Sequence, residues 1–156
     1  MSIKDIARNQ QQVLVNKAAK LARNLPDTQA GWIATVRSSL GMTAAQLSRR
    51  LGVDRAYVSA AEHAEKNGTL TVKRLQRMAE AMGCKLVYCI VPDGDVQDLI
   101  ERQAQSKATA LVTRASKQMA LENQMLSPEQ TKFEIERLTK ELLQKMPSDF
   151  WEENPK

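Results

Sequence analysis

Two side chains that could bind a nucleic acid follow Asp54, a residue type that often caps the start of a helix. Arg55 could donate two hydrogen bonds to the O6 and N7 atoms of one guanine, or it could bind a phosphate instead. Ser59, one helical turn later, could reach either a base or a phosphate. Donors on one face of a helix are a common means of recognising duplex DNA in its major groove.

Three neighbouring residues limit how much sequence such a helix could recognise. Tyr57 is expected on the outward face, where it could touch a thymine methyl, bind a phosphate or pack on the turn. Ala56 and Ala60 are small and offer no side-chain donor. We therefore expect few direct base contacts, with Arg55 as the best candidate.

Two short helices joined by a glycine-containing turn would position these side chains. The first, residues 44–51, follows Thr43, and the second, residues 55–65, follows Gly52 and Asp54. Apolar residues at helical spacing would lock the two helices at a fixed angle. These residues are Leu47, Leu51, Val53 and Val58. This order of elements predicts a helix-turn-helix.

Charge is divided unevenly along the chain. The 156 residues carry a net charge of +5, of which residues 1–92 contribute +8 and residues 93–156 contribute −3. A basic front half and an acidic back half suggest two surfaces with different partners, although uneven solvation charge is the alternative. Only six residues are aromatic, which argues against a stacking platform for single-stranded nucleic acid.

Residues that carry catalytic or metal chemistry are sparse. His63 has no second ligand or nucleophile nearby in sequence, and Cys84 and Cys89 lack the spacing of a metal site. No paired-carboxylate motif or phosphate loop is present, so we predict no enzyme activity, no metal and no cofactor. The chain lacks a signal-peptide core and an apolar run of ~20 residues, so we expect no membrane association and a cytoplasmic, nucleoid-associated location.

Hydrophobic periodicity predicts six or seven helices and one strand. The expected helices are residues 2–24, 30–40, 44–51, 55–65, 72–82, 96–126 and a last one that starts at Ser127. The first of these is amphipathic, and one face carries Ile3, Ile6, Val13, Leu14, Ala18 and Leu21.

The β-branched and aromatic run at residues 85–91 predicts the strand. A lone strand is unstable and needs an edge with which to pair. We expect that edge to be the same strand of a second copy, which would make a two-fold dimer. The alternative is that residues 1–25 or 127–145 cover the strand within one chain.

Residues 37–62 and the segment 78–83 resemble the Cro/repressor-type (XRE) helix-turn-helix domain, and the resemblance covers about residues 30–84. The matching residues are Arg37, Leu40-Gly-Met-Thr, Leu47, Leu51-Gly-Val, Val58-Ser, Glu62 and Met78-Ala-Glu-Ala-Met-Gly83. More narrowly, Gly31-Trp-Ile, Leu40-Gly-Met and a Leu-Val-Tyr run ending in Val-Pro resemble the mobile mystery protein A family. Members of that family are typically encoded beside a Fic-domain protein, a class that includes AMP-transferring toxins.

The resemblance to Cro/repressor domains implies a set of DNA contacts. They fall on Arg55, Ala56, Tyr57, Ser59 and Ala60 in the second helix, and on Arg37, Thr43, Gln46, Lys66 and Asn67 around it. It also implies a structural ion pair between Arg37 and Glu62. Ala44 departs from the pattern, because the family usually has a phosphate-binding Gln there.

These observations predict a mainly α fold of three parts. An N-terminal amphipathic helix (1–28) precedes a five-helix-type helix-turn-helix domain with one strand (29–92) and a helical extension for dimerisation or partner binding (93–156), in which Phe150 and Trp151 could anchor in a partner. The predicted function is a dimeric, sequence-specific repressor of a palindromic operator, autoregulatory and antitoxin-like toward a Fic-type toxin. The alternative is a module that neutralises a partner protein without binding DNA.

Overall fold

The computed structural model describes residues 1–152, so the last four residues of the predicted extension lie outside the described part. The described residues form seven helices and no strand. The helices are α1 (Ile3–Ala22), α2 (Trp32–Ser39), α3 (Ala44–Leu51), α4 (Arg55–Lys66), α5 (Val72–Ala81), α6 (Val96–Leu121) and α7 (Pro128–Lys145). Within these residues no helix is long and apolar enough to cross a membrane.

The helices form two compact units. The central unit is residues 24–89 and holds α2 to α5. The terminal unit combines residues 1–23 with residues 90–152, and holds α1, α6 and α7.

The central unit is built around one apolar core. Its buried residues come from α2, α3, α4, α5 and the residue after α5; they are Ile33, Leu47, Val58, Ala61, Met78 and Met82. Leu47, Val58 and Ala61 have no exposed surface, so α3 and α4 are held face to face as the apolar spacing predicts.

A left-handed glycine sets the turn between α3 and α4. Gly52 has φ +68°, a conformation that costs an L side chain energy, and it ends α3. The next amide, of Val53, donates to the Ser48 carbonyl at 3.0 Å. The backbone of Asp54 is then extended, and α4 starts at Arg55. The turn therefore fixes where the first turn of α4 points.

The predicted strand at residues 85–91 is wrong. The segment has neither helix nor strand, and Val87, Tyr88 and Ile90 are 81%, 73% and 90% exposed. A β-branched run forms a strand only when another edge completes its hydrogen bonds. No such edge exists in residues 1–152, so the expected fold class with a β-strand is corrected to an all-helical one for the described residues.

In the terminal unit, α6 and α7 pack along each other. Ala104 and Ala108 of α6 are fully buried with Leu142 of α7 and Phe150. The small alanines allow close approach of the two helices. A capping box at Ser127 and the proline at the first position start α7 where the sequence predicts it.

Candidate nucleic-acid interface

Helix α4 separates its faces cleanly. Val58 and Ala61 point into the core, whereas the predicted contact residues of the other face are exposed. These exposed residues are Arg55, Ala56, Ser59 and Ala60. One arginine, one hydroxyl and two small side chains therefore form an open surface along the first two turns of the helix.

Tyr57 lies between these two faces. It is half-buried and packs against the edge of the core. The guanidinium of Arg74, in α5, lies over its ring at 4.7 Å from the ring centre. The Arg74 Nε also donates to the Tyr57 hydroxyl at 3.3 Å. The tyrosine therefore couples α4 to α5 and holds a cation beside the first turn of α4.

Sequence reasoning missed Arg74. The residue is 17 positions from Tyr57, and no periodicity in α5 distinguishes it from its basic neighbours Lys73 and Arg77. Only the packing of α5 on the core brings it to the ring.

Thr43 and Gln46 exchange a reciprocal pair of hydrogen bonds at the start of α3. The backbone N–H of Gln46 donates to the Thr43 hydroxyl at 3.1 Å, and the backbone N–H of Thr43 donates to the Gln46 side-chain oxygen at 2.7 Å. This capping box fixes the N-terminus of α3. Ala44 lies half-buried against the core.

Arg37 and Glu62 join α2 to α4 by a bidentate ion pair. Their atoms approach at 2.6 Å (Nε to Oε1) and 3.3 Å (Nη2 to Oε2), and each side chain is only 18% exposed. The remaining Arg37 nitrogen, Nη1, donates to the Met42 carbonyl at 2.9 Å. The arginine predicted both to pair and to contact DNA thus has all three of its nitrogens engaged within the unit.

A second carboxylate braces the same two helices. Glu65 accepts hydrogen bonds from the Trp32 and Ile33 amides at 2.8 and 3.0 Å, which caps α2 and places a negative charge at its N-terminus. Gly31 makes room for it, since a Cβ there would lie 2.8 Å from the carboxylate. No local pattern in the sequence indicates this contact.

The end of α4 carries the remaining predicted contacts. Lys66 is the last residue of the helix and Asn67 is its C-cap, and both are exposed. His63 is also exposed, on the same helix.

Arginines on α3 and α5 hydrogen-bond from each helix to the end of the other. The Arg50 Nε donates to the Ala81 carbonyl at 2.6 Å, and the Arg77 Nη2 donates to the Leu51 carbonyl at 3.2 Å. Arg49 lines a shallow hollow with Arg50 and Gln46. The two carbonyl contacts tie the ends of these helices and keep the cations at the surface.

In the terminal unit, the two predicted anchor residues differ in how far they are exposed. Phe150 is 1% exposed and belongs to the core of its unit, whereas Trp151 is 59% exposed and meets it edge-on at 5.2 Å. Gln103 and Lys107 of α6 donate to the carbonyls of Phe150 and Asp149. Phe150 therefore fixes the C-terminal turn onto α6 and is not free to enter a partner's pocket in this structure.

In residues 1–152 no three His, Cys, Asp or Glu side chains gather as a metal site would require. Cys84 and Cys89 are exposed free thiols.

Comparison with protein families decides what the central unit is. Residues 33–89 match the family model described as Helix-turn-helix. Over these residues the central unit is similar to the XRE-type helix-turn-helix domain. Domains of this type bind DNA in transcription regulators, and α3 and α4 correspond to the two helices of the motif. The match covers well under half of the chain, and α1, α6 and α7 lie outside it. No curated protein and no solved structure matches the chain.

Proposed function

We propose that the protein is a sequence-specific transcriptional repressor that binds a palindromic operator as a homodimer. The observation that carries the proposal is the open face of the recognition helix, where Arg55 and Ser59 stand exposed on a helix whose other face is locked into the core. A rigid helix with free donors in its first two turns fits the major groove, which is wide enough to admit it.

Roles follow from what each side chain is free to do. Arg55 contacts guanine, Ser59 contacts a base or phosphate, and Ala56 and Ala60 allow close approach to the bases. Lys66 and Asn67 contact phosphates from the far end of the helix. Phosphate contacts are also assigned to the N-terminus of α3, through Thr43 and Gln46, and to Arg74.

Arg37 supports these contacts indirectly. Because Glu62 and the Met42 carbonyl engage its guanidinium, we assign it to holding α4 in place rather than to touching DNA. The Tyr57 ring also supports the contacts without touching DNA, because it holds the Arg74 guanidinium beside the recognition helix.

We further propose an autoregulatory, antitoxin-like role toward a Fic-type toxin encoded nearby. Support comes from the resemblance to the mobile mystery protein A family at Gly31-Trp-Ile and Leu40-Gly-Met, and from the acidic character of residues 93–156. Trp151 is an exposed aromatic of this extension that a protein partner could bind. The competing function is neutralisation of a partner protein without DNA binding; the intact, exposed recognition face favours DNA binding over it.

A gel shift with the DNA upstream of the protein's own gene tests the repressor. We expect a shift that weakens steeply with salt, because neutralised phosphates release their counterions. Arg55→Ala should lose about 1–3 kcal/mol of discrimination between the operator and random DNA. Arg114→Ala, which removes an exposed arginine from α6, is the matched control and should bind as the wild type does.

Two results would contradict this function. Equal loss on operator and random DNA in Arg55→Ala would assign that arginine to a phosphate. A chain that gives no salt-sensitive shift but co-purifies with a stable partner would instead support the interaction module.

A further inference from the structure

Helix α1 packs with the side that carries its polar and small apolar residues. The side chains with reduced exposure are Asp5, Arg8, Gln12, Val15, Asn16, Ala18, Ala19 and Ala22, of which Ala19 is buried. Polar residues on this side hydrogen-bond to α6: Asn16 donates to the Gln97 side chain at 2.9 Å and accepts from the Val96 backbone N–H at 2.9 Å. Gln97 also donates to Gln12, at 3.1 Å.

The opposite side of α1 is apolar and open. It exposes Ile3 (86%), Ile6 (46%), Val13 (68%), Leu14 (72%) and Leu21 (71%). At 3.6 residues per turn these positions fall on one stripe, facing away from the residues that bond to α6. An amphipathic helix normally buries this stripe, so α1 has the inverse arrangement.

The stripe is large enough to be an interface. The helix is 20 residues long, so it spans about 30 Å. Five large apolar side chains along it, flanked by lysine stems, offer several hundred Å² of surface, which is a large part of the roughly 800 Å² that each partner of a stable interface buries. Soluble monomers rarely leave such a patch uncovered.

We propose that the apolar stripe of α1 binds the same stripe of a second copy, with the two helices antiparallel. Lys17 lies within the stripe, so a parallel pair would bring the two copies of this charge together, whereas an antiparallel pair with Ile3 opposite Leu21 separates them. The antiparallel order also opposes the two helix dipoles. It creates a two-fold axis, which the two half-sites of a palindromic operator require.

This surface goes beyond the dimer of the proposed function, because it names where the two copies meet. It depends on the inverted packing of α1 and not on DNA binding. Failure of the α1 dimer would therefore leave the DNA contacts of α4 untouched, and the experiment below contains no DNA.

The test is the mass of the full chain by light scattering or sedimentation across a wide concentration range. We expect a dimer for the wild type and at least a tenfold weaker dimer for Leu14→Glu and for Val13→Glu. Both residues are mostly exposed, so helicity by circular dichroism should be retained. The matched control is Leu121→Glu, at an 88% exposed leucine of α6, which should remain dimeric.

Disulfide trapping tests the orientation in a background where Cys84 and Cys89 are serine. Ile3→Cys and Leu21→Cys chains should cross-link when mixed, and neither should cross-link with itself. Efficient self-cross-linking of both would indicate parallel helices and overturn the antiparallel arrangement.

Three outcomes would overturn the α1 dimer. A wild type that stays monomeric at all concentrations excludes a second copy, and a dimer that survives Leu14→Glu lies on another surface. A monomer that binds phosphatidylglycerol vesicles, and loses this binding in Leu14→Glu, would assign the stripe to an anionic membrane surface.

Discussion

Helices α4 and α1 present opposite faces to their own units. α4 buries Val58 and Ala61 and exposes Arg55 and Ser59, whereas α1 packs through polar and small apolar residues and exposes its large apolar ones. In the central unit the exposed surface is polar and suits a charged ligand. In the terminal unit it is apolar and suits another apolar surface. Under the proposal made above for α1, the same amphipathic pattern serves folding in one helix and association in the other.

The core of the central unit is complete within one chain, so its stability should not depend on protein concentration. A helix that gains its apolar contacts from a second copy is stabilised by mass action, so its stability should rise with concentration.

The largest expected effect comes from emptying the central core. Leu47→Ala removes a side chain with no exposed surface, and we expect it to lower the free energy of unfolding by about 2–5 kcal/mol. Leu14→Ala makes the same chemical change on the open face of α1 and should cost less than about 0.5 kcal/mol in dilute solution. Urea denaturation of both variants at low concentration measures the difference; equal losses would show that the α1 stripe is covered within one chain.

Glu62→Ala should have the next largest effect. It leaves Arg37 without its carboxylate partner in a mostly buried site, and the expected loss is about 2–3 kcal/mol, below the ~3–5 kcal/mol of a fully buried pair. Glu141→Ala is the control, because its pairs with Arg137 and Lys145 are exposed and should contribute little. A Glu62→Ala variant that melts like the wild type would remove the structural role assigned to the pair.

The Tyr57–Arg74 contact should affect DNA binding more than folding. Arg74→Ala should weaken binding to operator and random DNA alike and reduce the slope of log K against log salt by about 1, as for one lost phosphate contact. Tyr57→Ala should weaken binding in the same way by freeing the Arg74 side chain, with a stability loss of about 1 kcal/mol from the cation–π contact and packing. Fluorescence anisotropy of labelled DNA over a salt series measures the slope for each variant. An unchanged slope in Arg74→Ala would show that Arg74 does not contact a phosphate.

The sequence predicted most of the fold correctly because local signals set the helices. Thr43, Gly52 and Ser127 mark helix ends through caps that act over three or four residues, and the structure confirms each. The helix-turn-helix is confirmed for the same reason, since its pattern of apolar residues is contiguous. The DNA contacts assigned along it remain predictions.

The errors and omissions concern contacts between distant residues. The run at 85–91 has the composition of a strand, but only a partner edge would make it one. The amphipathic pattern of α1 was predicted, yet periodicity cannot say which face will pack. Neither the bond from Arg74 to Tyr57 nor the capping of α2 by Glu65 leaves a local signal, because 17 and 32 or more positions separate the partners.

The smallest expected effect concerns the C-terminal turn of the terminal unit. The buried Lys107 ammonium binds the Asp149 carboxylate at 3.0 Å, and this hydrogen bond lowers the pKa of Asp149 below its ordinary value. The native state therefore holds that proton less tightly than the unfolded chain. The contribution to stability is present above the ordinary carboxyl pKa of about 4 and is lost as the pH falls through the lowered value.

Asp149→Asn isolates this contribution, because it removes the titrating group while the carbonyl contact of Lys107 can persist. We expect the stability difference between wild type and variant to be small at pH 7, since the carboxylate is 56% exposed, and to shrink between pH 5 and pH 3. Glu129→Gln, at an exposed residue in the first turn of α7, controls for a general loss of negative charge. A difference that is constant across this range would mean that Lys107 holds the turn through the backbone carbonyl alone. In that case the buried lysine, like the polar face of α1, would serve the packing of the terminal unit without any dependence on carboxylate charge.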